Sequence, residues 1–407
     1  MIPRAVAVTG LGLITPAGIG AANTWEHVLG GTPTARRDPK LEGLTVDFSC
    51  QVPHLDMAER LGGRLALRLD RFAQLAILAA REAVADAGLD PANWDATRVG
   101  VVLGVGGNSV ATYPVEYARL SNGRAEEVSP LMLPRSVPSM AAAEVSLDLG
   151  ALGPSFITST ACASGSTALA TAHSLLRAGA CDIVVSGGTD CARTPMAATC
   201  FDRLRALSRR GHDPAGASRP FDADRDGFVL GEGAGILILE RTEHAAARGC
   251  RPRAYLSGHG SSCDAYHYTA PHPGGEGLSR AIRAALSDAD LAPTDIGHIN
   301  THGTGTRLND TAEASALCQV FRHPPLVTAN KSILGHAMGA AGAIEAALTV
   351  LTVQHGVIPP TANLDKLDEG ISLDVVTGTM RHQTVRAAIS VSSGFGGQNA
   401  ALAFTAV

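Results

Sequence analysis

Aromatic side chains are scarce, at 4% of the chain, while glycine occupies 45 of 407 positions. Tight turns and close backbone contacts must do much of the packing that large rings do elsewhere. Eight cysteines are present (Cys50, Cys162, Cys181, Cys191, Cys200, Cys250, Cys263 and Cys318), and no two stand in a C-x-x-C pair. That spacing argues against a zinc ribbon or a disulfide scaffold, gives no metal site to expect, and suits a reducing cytoplasm. Positive charge is not in excess: the formal net charge is −5, which gives no support for nucleic-acid binding. No apolar run reaches about 18 residues and no basic start leads to a cleavage site, so neither a membrane span nor a secretory leader is expected. With 45% hydrophobic and 17% charged residues, the sequence can fill a large core and does not have a disordered composition.

What is present alternates. Short apolar, β-rich runs occur at 5–10, 99–104, 183–188, 235–240, 298–303 and 387–394, and MIPRAVAVTGLG reads as a first strand and turn. Between them lie Ala/Leu-rich stretches with helical spacing, at 71–88, 166–179 and 277–290. Continuous apolar strands between amphipathic helices predict an α/β fold whose sheets are covered on both faces. The pattern also repeats. AVAVTGLG is echoed by RAYLSGHG, VGVVLGVGG by IGHINTHGTG, ITSTACASGSTALA by VTANKSILGHAMGAAGAIEAAL, and DIVVSGGTD by AAISVSSGFGG. Four pairs in one order predict two related halves, residues 1–250 and 251–407, placed about a pseudo-twofold axis that brings corresponding loops together.

Two tempting motifs fail. TGLGLIT lacks the third glycine of a dinucleotide-binding turn. DADRDG begins like a calcium loop, but the twelfth position is Gly233 and the next segment reads as strand. Its charges are expected to cap a turn and pair with Arg219 and Arg225.

In TSTACASGSTALA, Cys162 is ringed by small residues just before a helical stretch that ends at Gly179. A cysteine at a helix N-terminus has its thiolate stabilised by the dipole and by free N–H groups, which predicts a lowered pKa. The same N–H groups can hold an oxyanion. Alone, this pattern suits a packed core cysteine as well as a nucleophile. Two histidines add to it. His302 lies in NTHGTGT after an apolar strand, and His336 lies in NKSILGHAMGAAG, the repeat counterpart of the Cys162 loop. Lys331 brings a cation to that segment. Glu345 stands fourteen residues further on, so pairing with Lys331 requires the loop to fold back.

Together TACASG, NTHGTGT, NKSILGHAMGAAGAIEA and SSGFGGQN resemble the elongating β-ketoacyl-acyl-carrier-protein synthases, and the similarity extends through VTGLGLITPAG, ASRPFDADRDGFVLGEGAG and PPTANLD. The resemblance implies a thiolase fold with two pseudo-twofold-related α/β halves in five αβαβα layers. It implies a Cys162–His302–His336 centre that condenses an acyl thioester with malonyl-acyl-carrier protein, in fatty-acid elongation or in type II polyketide assembly. By the same resemblance Lys331 orders the site and pairs with Glu345, Asp310 and Glu313 support the loops, and the N–H groups of Cys162 and Phe395 form an oxyanion hole. Phe395 is implied as a mobile gate, and Gly107, Phe201 and Phe395 as the acyl pocket. No cofactor bound by the enzyme is implied, since the substrates ride on the phosphopantetheine of an acyl carrier protein. Arginine at the entrance is expected to meet that acidic carrier, with Arg64, Arg68, Arg71, Arg205, Arg209 and Arg210 as candidates. The family forms dimers through a sheet edge and the loops around 130–160, so the partner is an identical chain or a chain-length-factor-like homologue. A non-catalytic interaction subunit of that fold is the other alternative, though such chains have typically lost the nucleophile that Cys162 retains. This chain departs from the fatty-acid pattern at Gly107, where a bulky residue is usual, and at Ser393, Thr301 and Gln398. Less bulk suggests a longer or more oxidised chain, such as a polyketide or polyene.

Overall fold

The computed structural model describes residues 5–107 and 110–407. Residues 1–4, at the start of MIPRAVAVTGLG, and 108–109, in the variable acyl-channel stretch 105–128, lie outside the described residues. One large sheet organises the molecule. Its strands are β1 Val6–Thr15, β2 Val99–Gly104, β3 Ser155–Thr158, β4 Ile183–Cys191, β5 Glu232–Arg241, β6 Ala254–Cys263, β7 His298–Asn300, β8 Leu326–Thr328, β9 Ala387–Gly394 and β10 Gln398–Thr405. An eleventh strand, Gly18–Ile19, folds back on β1.

The order across the sheet is β8-β7-β9-β10-β6-β1-β5-β4-β2-β3. Read outward from the central β6–β1 pair, each half runs through the same sequence of pairings. The two inner contacts are antiparallel (β1–β5–β4 and β6–β10–β9), and the two outer ones are parallel (β4–β2–β3 and β9–β7–β8). The four sequence echoes correspond to β1 with β6, β2 with β7, β3 with β8 and β4 with β9. This is the pseudo-twofold arrangement implied by the repeat.

Helices cover the strands in layers. Helix α1, Arg71–Asp86, and α2, Met140–Leu149, pack outside the N-terminal strands, while α5, Glu276–Ala289, and α6, Arg307–Val320, cover the C-terminal ones. Between the halves lie α3, Ser164–Arg177, and α7, Ala341–His355, which touch each other and strands of both halves. The result is α-β-α-β-α. Another helix, α4, Pro195–Arg203, flanks the cavity described below. The central position of α7 explains its composition: thirteen of its residues, Ala341 to Val353, are buried, so it is apolar all round rather than on one face.

Glycines read as turn signals in TGLG lie inside β1 instead. A Cβ on Gly10 or Gly12 would fall 2.1 Å or 1.9 Å from the carbonyl oxygens of Ala83 and Ala79 in α1. These glycines let the strand lie directly against the helix backbone, and the carboxylates of α1 answer them. Asp86 accepts the Leu11 N–H at 2.8 Å, and Glu82 accepts those of Leu13 and Ala21 at 2.9 and 2.6 Å.

Candidate active site

Cys162 lies in a single 3₁₀ turn, Ala161–Ala163, that carries the chain from β3 into α3. Ala161 takes a left-handed conformation, φ 49°, a strained value for a residue with a side chain. The second half repeats the device. A 3₁₀ turn, Met338–Ala340, leads into α7, and Met338 has φ 48°. The two halves thus present matching tight turns, one bearing the cysteine and the other following His336.

The two turns meet the β9–β10 turn at one cavity of about 1020 Å³, lined by Cys162, His302, His336, Phe201, Phe228 and Phe395 among others. Gly394 permits the approach: a Cβ there would lie 2.5 Å from the Thr160 carbonyl oxygen and 3.1 Å from the Cys162 nitrogen. The next backbone N–H, of Phe395, is hydrogen-bonded to the Cys162 sulfur. Gly396 and Gly397 follow with φ 81° and 73°. The Phe395 ring sits 6.2 Å from that of Phe201, which packs edge-on against Phe228 at 5.4 Å.

The histidine pair is built from below by Lys331. Its Nζ donates to the His302 carbonyl oxygen at 2.6 Å and to Glu345 Oε1 at 2.5 Å, and lies 3.2 Å from His302 Nδ1. The loop does fold back to make the Lys331–Glu345 pair. An ammonium only donates, so His302 Nδ1 accepts and the neutral ring carries its proton on Nε2. The His302 and His336 rings meet edge-on at 5.4 Å, and His336 also packs on Phe228 at 5.2 Å. Burial and then the Lys331 charge hold both imidazoles well below their ordinary range, so both are neutral. Burial pushes the Glu345 carboxyl up to about 7 against the pull of Lys331.

Glu313 and Asp310 lie beneath the His302 loop. Glu313 accepts the N–H groups of His302 and Gly303 at 2.6 and 2.8 Å, and Asp310 accepts those of Phe221 and Gly305 at 2.8 and 3.2 Å. In DADRDG, Asp222 pairs with Arg219 at 2.9 Å, and the Arg225 guanidinium reaches the Asp222 carbonyl oxygen at 2.8 Å.

At Cys162 the electrostatics differ from expectation. Burial pushes the thiol up to about 12, with Lys331 lowering it and Asp190 raising it. Cys162 is half-buried on the cavity wall, and there desolvation of the thiolate outweighs the helix-start dipole. Asp190, at the end of β4, went unnoticed in the sequence. It is buried and accepts the N–H groups of Gly106, Gly339 and Cys191, each at 3.0 Å, tying the loop after β2 to the turn after His336. The only signal was an acid ending the apolar run IVVSGGTD.

Family models described as "Beta-ketoacyl synthase, N-terminal domain" and "Beta-ketoacyl synthase, C-terminal domain" match residues 3–245 and 253–365. The chain belongs to the β-ketoacyl synthase family. It is 40% identical over 408 residues to the 3-oxoacyl-[acyl-carrier-protein] synthase 2 of Synechocystis sp., covering 98% of each chain. Among solved structures, the ishigamide ketosynthase/chain length factor matches with TM-score 0.94 and 35% identity, covering 100% of both chains. The complex AntDE:AntF, a type II PKS acyl-carrier protein with its ketosynthase bound to the hexaketide, matches with TM-score 0.91 and 32% identity, again over 100% of both chains.

Within this β-ketoacyl synthase, the remaining candidates divide. Arg205 and Arg210 line the cavity mouth with Arg307, and Arg205 is exposed. Arg209 lies beside it, bonded to Asp202 at 2.9 Å, and Arg64 is exposed on a separate helical turn. Arg68 is half-exposed and paired with Glu144. Arg71 departs from the docking expectation: both its Nε and a terminal nitrogen bond the fully buried Glu232, at 2.7 and 2.9 Å. A guanidinium committed to a buried carboxylate is not offered to a partner. Gly107 is also not brought to the cavity; its N–H turns to Asp190 instead. Of the other departures, Ser393 lines the cavity, whereas Thr301 is buried and bonds the Thr328 carbonyl oxygen at 2.8 Å. Among the described residues no helix is long and apolar enough to cross a membrane.

Proposed function

We propose that the chain is a ketosynthase that condenses an acyl group held on Cys162 with malonyl-acyl-carrier protein, releasing carbon dioxide and giving 3-oxoacyl-acyl-carrier protein. The observation that carries this reading is the convergence of Cys162, two neutral histidines and the Phe395 N–H on one cavity. In the first half-reaction the Cys162 sulfur attacks the incoming thioester, its proton passes to the departing carrier thiolate, and the N–H groups of Cys162 and Phe395 hold the oxyanion. A thiol near 12 is protonated at neutral pH, so its proton must leave as the sulfur attacks. In the second, loss of carbon dioxide leaves an enolate whose oxygen is held by His302, through Nε2–H, and by His336. The enolate carbon then attacks the acyl-Cys162 carbonyl, and the C–S bond breaks. Lys331, Glu345, Glu313, Asp310 and Asp190 position these groups. Phe395, on its glycine-flanked turn, gates passage between acyl pocket and histidines, with Phe201 beside it.

The pathway we favour is type II polyketide or polyene assembly, supported by likeness to the ishigamide and AntDE ketosynthases and by the small Ser393 at the cavity. Fatty-acid elongation is the second reading, favoured by the synthase 2 relatives. In either case the acyl carrier docks on the mouth bearing Arg205, Arg209 and Arg210. We also read residues 1–250 and 251–407 as the two structural units, a division supported by the repeated strand order. The partner, a second copy or a chain-length-factor-like homologue, meets the free edge at β3.

Mass spectrometry of the acyl group trapped on Cys162, with genomic-neighbour proteins supplied, tests both the chemistry and the pathway. Cys162→Ala is expected to abolish condensation while malonyl-carrier decarboxylation persists; condensation by that variant would sink the mechanism. Exclusive elongation of saturated acyl chains would replace the polyketide reading with the fatty-acid one.

A further inference from the structure

Outside the cavity, the fold gathers three side chains that are far apart in sequence: His173 on α3, His259 on β6 and Asp288 on α5. One potential ligand atom from each lies within 4.8 Å of the other two. His173 is buried and the other two are half-buried. The imidazole rings meet edge-on, 5.2 Å apart at 84°. We propose that His173, His259 and Asp288 bind one divalent cation of the zinc class, with water completing the coordination.

The donor set selects the ion. Two imidazoles and one carboxylate suit zinc, cobalt(II) or nickel(II), whereas calcium and magnesium call for a shell of oxygens. Outer partners are also in place, as ligating carboxylates and imidazoles require. Arg177 donates to Asp288 Oδ1 at 2.8 Å, the His259 backbone N–H donates to Asp288 Oδ2 at 3.2 Å, and Ser174 Oγ lies 3.2 Å from His259 Nε2. The Arg177 charge opposes a cation, so the expected affinity is modest. Closing onto a tetrahedral ion needs ligand atoms roughly 3.3 Å apart, given metal–ligand distances of about 2.0–2.1 Å. The three side chains therefore draw together on binding.

The location gives the ion a structural consequence. His173 lies on the same helix that Cys162 precedes, while His259 and Asp288 belong to the C-terminal half. A bound ion would fasten the nucleophile's helix to the opposite half, and stability would rise with metal concentration by mass action.

Cobalt(II) titration of tag-free, iodoacetamide-alkylated protein tests this, because alkylation removes accessible thiols as competing ligands. The expected result is one equivalent bound, with weak d–d absorption and no sulfur-to-metal charge-transfer band, displaced by zinc. Zinc should also raise the melting temperature of the wild-type protein. His259→Gln and Asp288→Asn, at half-buried positions, are expected to weaken binding at least about tenfold. His173→Gln should do the same, and if it fails to fold the other two carry the test. No melting shift with zinc, or binding unchanged in His259→Gln and Asp288→Asn, would overturn the proposal.

Discussion

The finest distinctions in the site are set by single protons, and Lys331 controls several of them. Its three donors are spent on the His302 carbonyl oxygen, His302 Nδ1 and Glu345. Lys331→Met would release Nδ1, so His302 would no longer be locked with its proton on Nε2. It would also remove a cation that suppresses protonation of both rings. The variant is expected to lose kcat by about a hundredfold or more. The acid limb of its pH–rate profile should move upward, toward the ordinary histidine range; an unmoved limb would separate Lys331 from the tautomer argument. Cys162, His302 and His336 were legible in sequence because each lies in a small-residue loop beside an apolar strand. Asp190 was not, because its partners are backbone N–H groups from Gly106 and Gly339, which carry no side-chain signal. Arg71 misled for the converse reason: charge and position suggested the surface, and only the fold reveals Glu232 beneath it.

Among the elements, helices are legible in the sequence and glycine-rich strands less so. The three helical stretches expected at 71–88, 166–179 and 277–290 are found at Arg71–Asp86, Ser164–Arg177 and Glu276–Ala289. Their apolar spacing is a local property. The extent of β1 is not, since Gly10 and Gly12 look like turn residues until α1 lies against them. Gly12→Ala would drive a methyl group into the Ala79 carbonyl oxygen, 1.9 Å from its ideal position. The three atoms nearest that methyl, in Ala79 and Ala83, are all backbone and cannot rotate away, so strand and helix must separate. The expected cost is at least about 1–3 kcal/mol, read as a lower urea midpoint. A midpoint equal to wild type would mean that the β1–α1 contact is looser than described.

At the scale of the molecule, burial of polar groups couples stability to pH. His298, in β7, is fully buried with Nε2 2.8 Å from Thr328 Oγ1, and burial pushes it down to about 3. The folded ring is therefore neutral, whereas the unfolded chain protonates near 6.5. As pH falls from 6.5 toward 3 the unfolded state binds the extra proton, and this residue's contribution to stability is lost. Between pH 7.5 and 5.0 the wild type should lose about 2 kcal/mol relative to His298→Gln, at roughly 1.36 kcal/mol per pH unit below 6.5. Paired urea titrations at the two pH values measure it, and an unchanged difference would refute it.

The sheet itself makes the last prediction. Strand order about the β6–β1 pair is symmetric, but the two edges are treated differently. Strand β8 is half-buried to buried, with the Val327 N–H and carbonyl groups bonded to the 374–376 segment. Strand β3 is exposed to half-buried along its length and bonds β2 on one side. Beside it Leu147 and Leu152 are 69% and 72% exposed, and Phe156 is 37% exposed. An unpaired strand edge flanked by large apolar side chains is a template for another chain. Among the described residues the symmetric interior therefore ends in one covered edge and one open edge, and the prediction is that assembly occurs at the open one. Leu147→Arg combined with Leu152→Arg places two like charges beside that edge without entering the core. If the edge joins two copies, sedimentation of the purified wild type gives a dimer and the double variant a monomer. If it joins a homologous subunit, the wild type alone sediments as a monomer and the double variant fails to co-purify with that subunit. An assembly whose mass is unaffected by both substitutions would place the interface elsewhere.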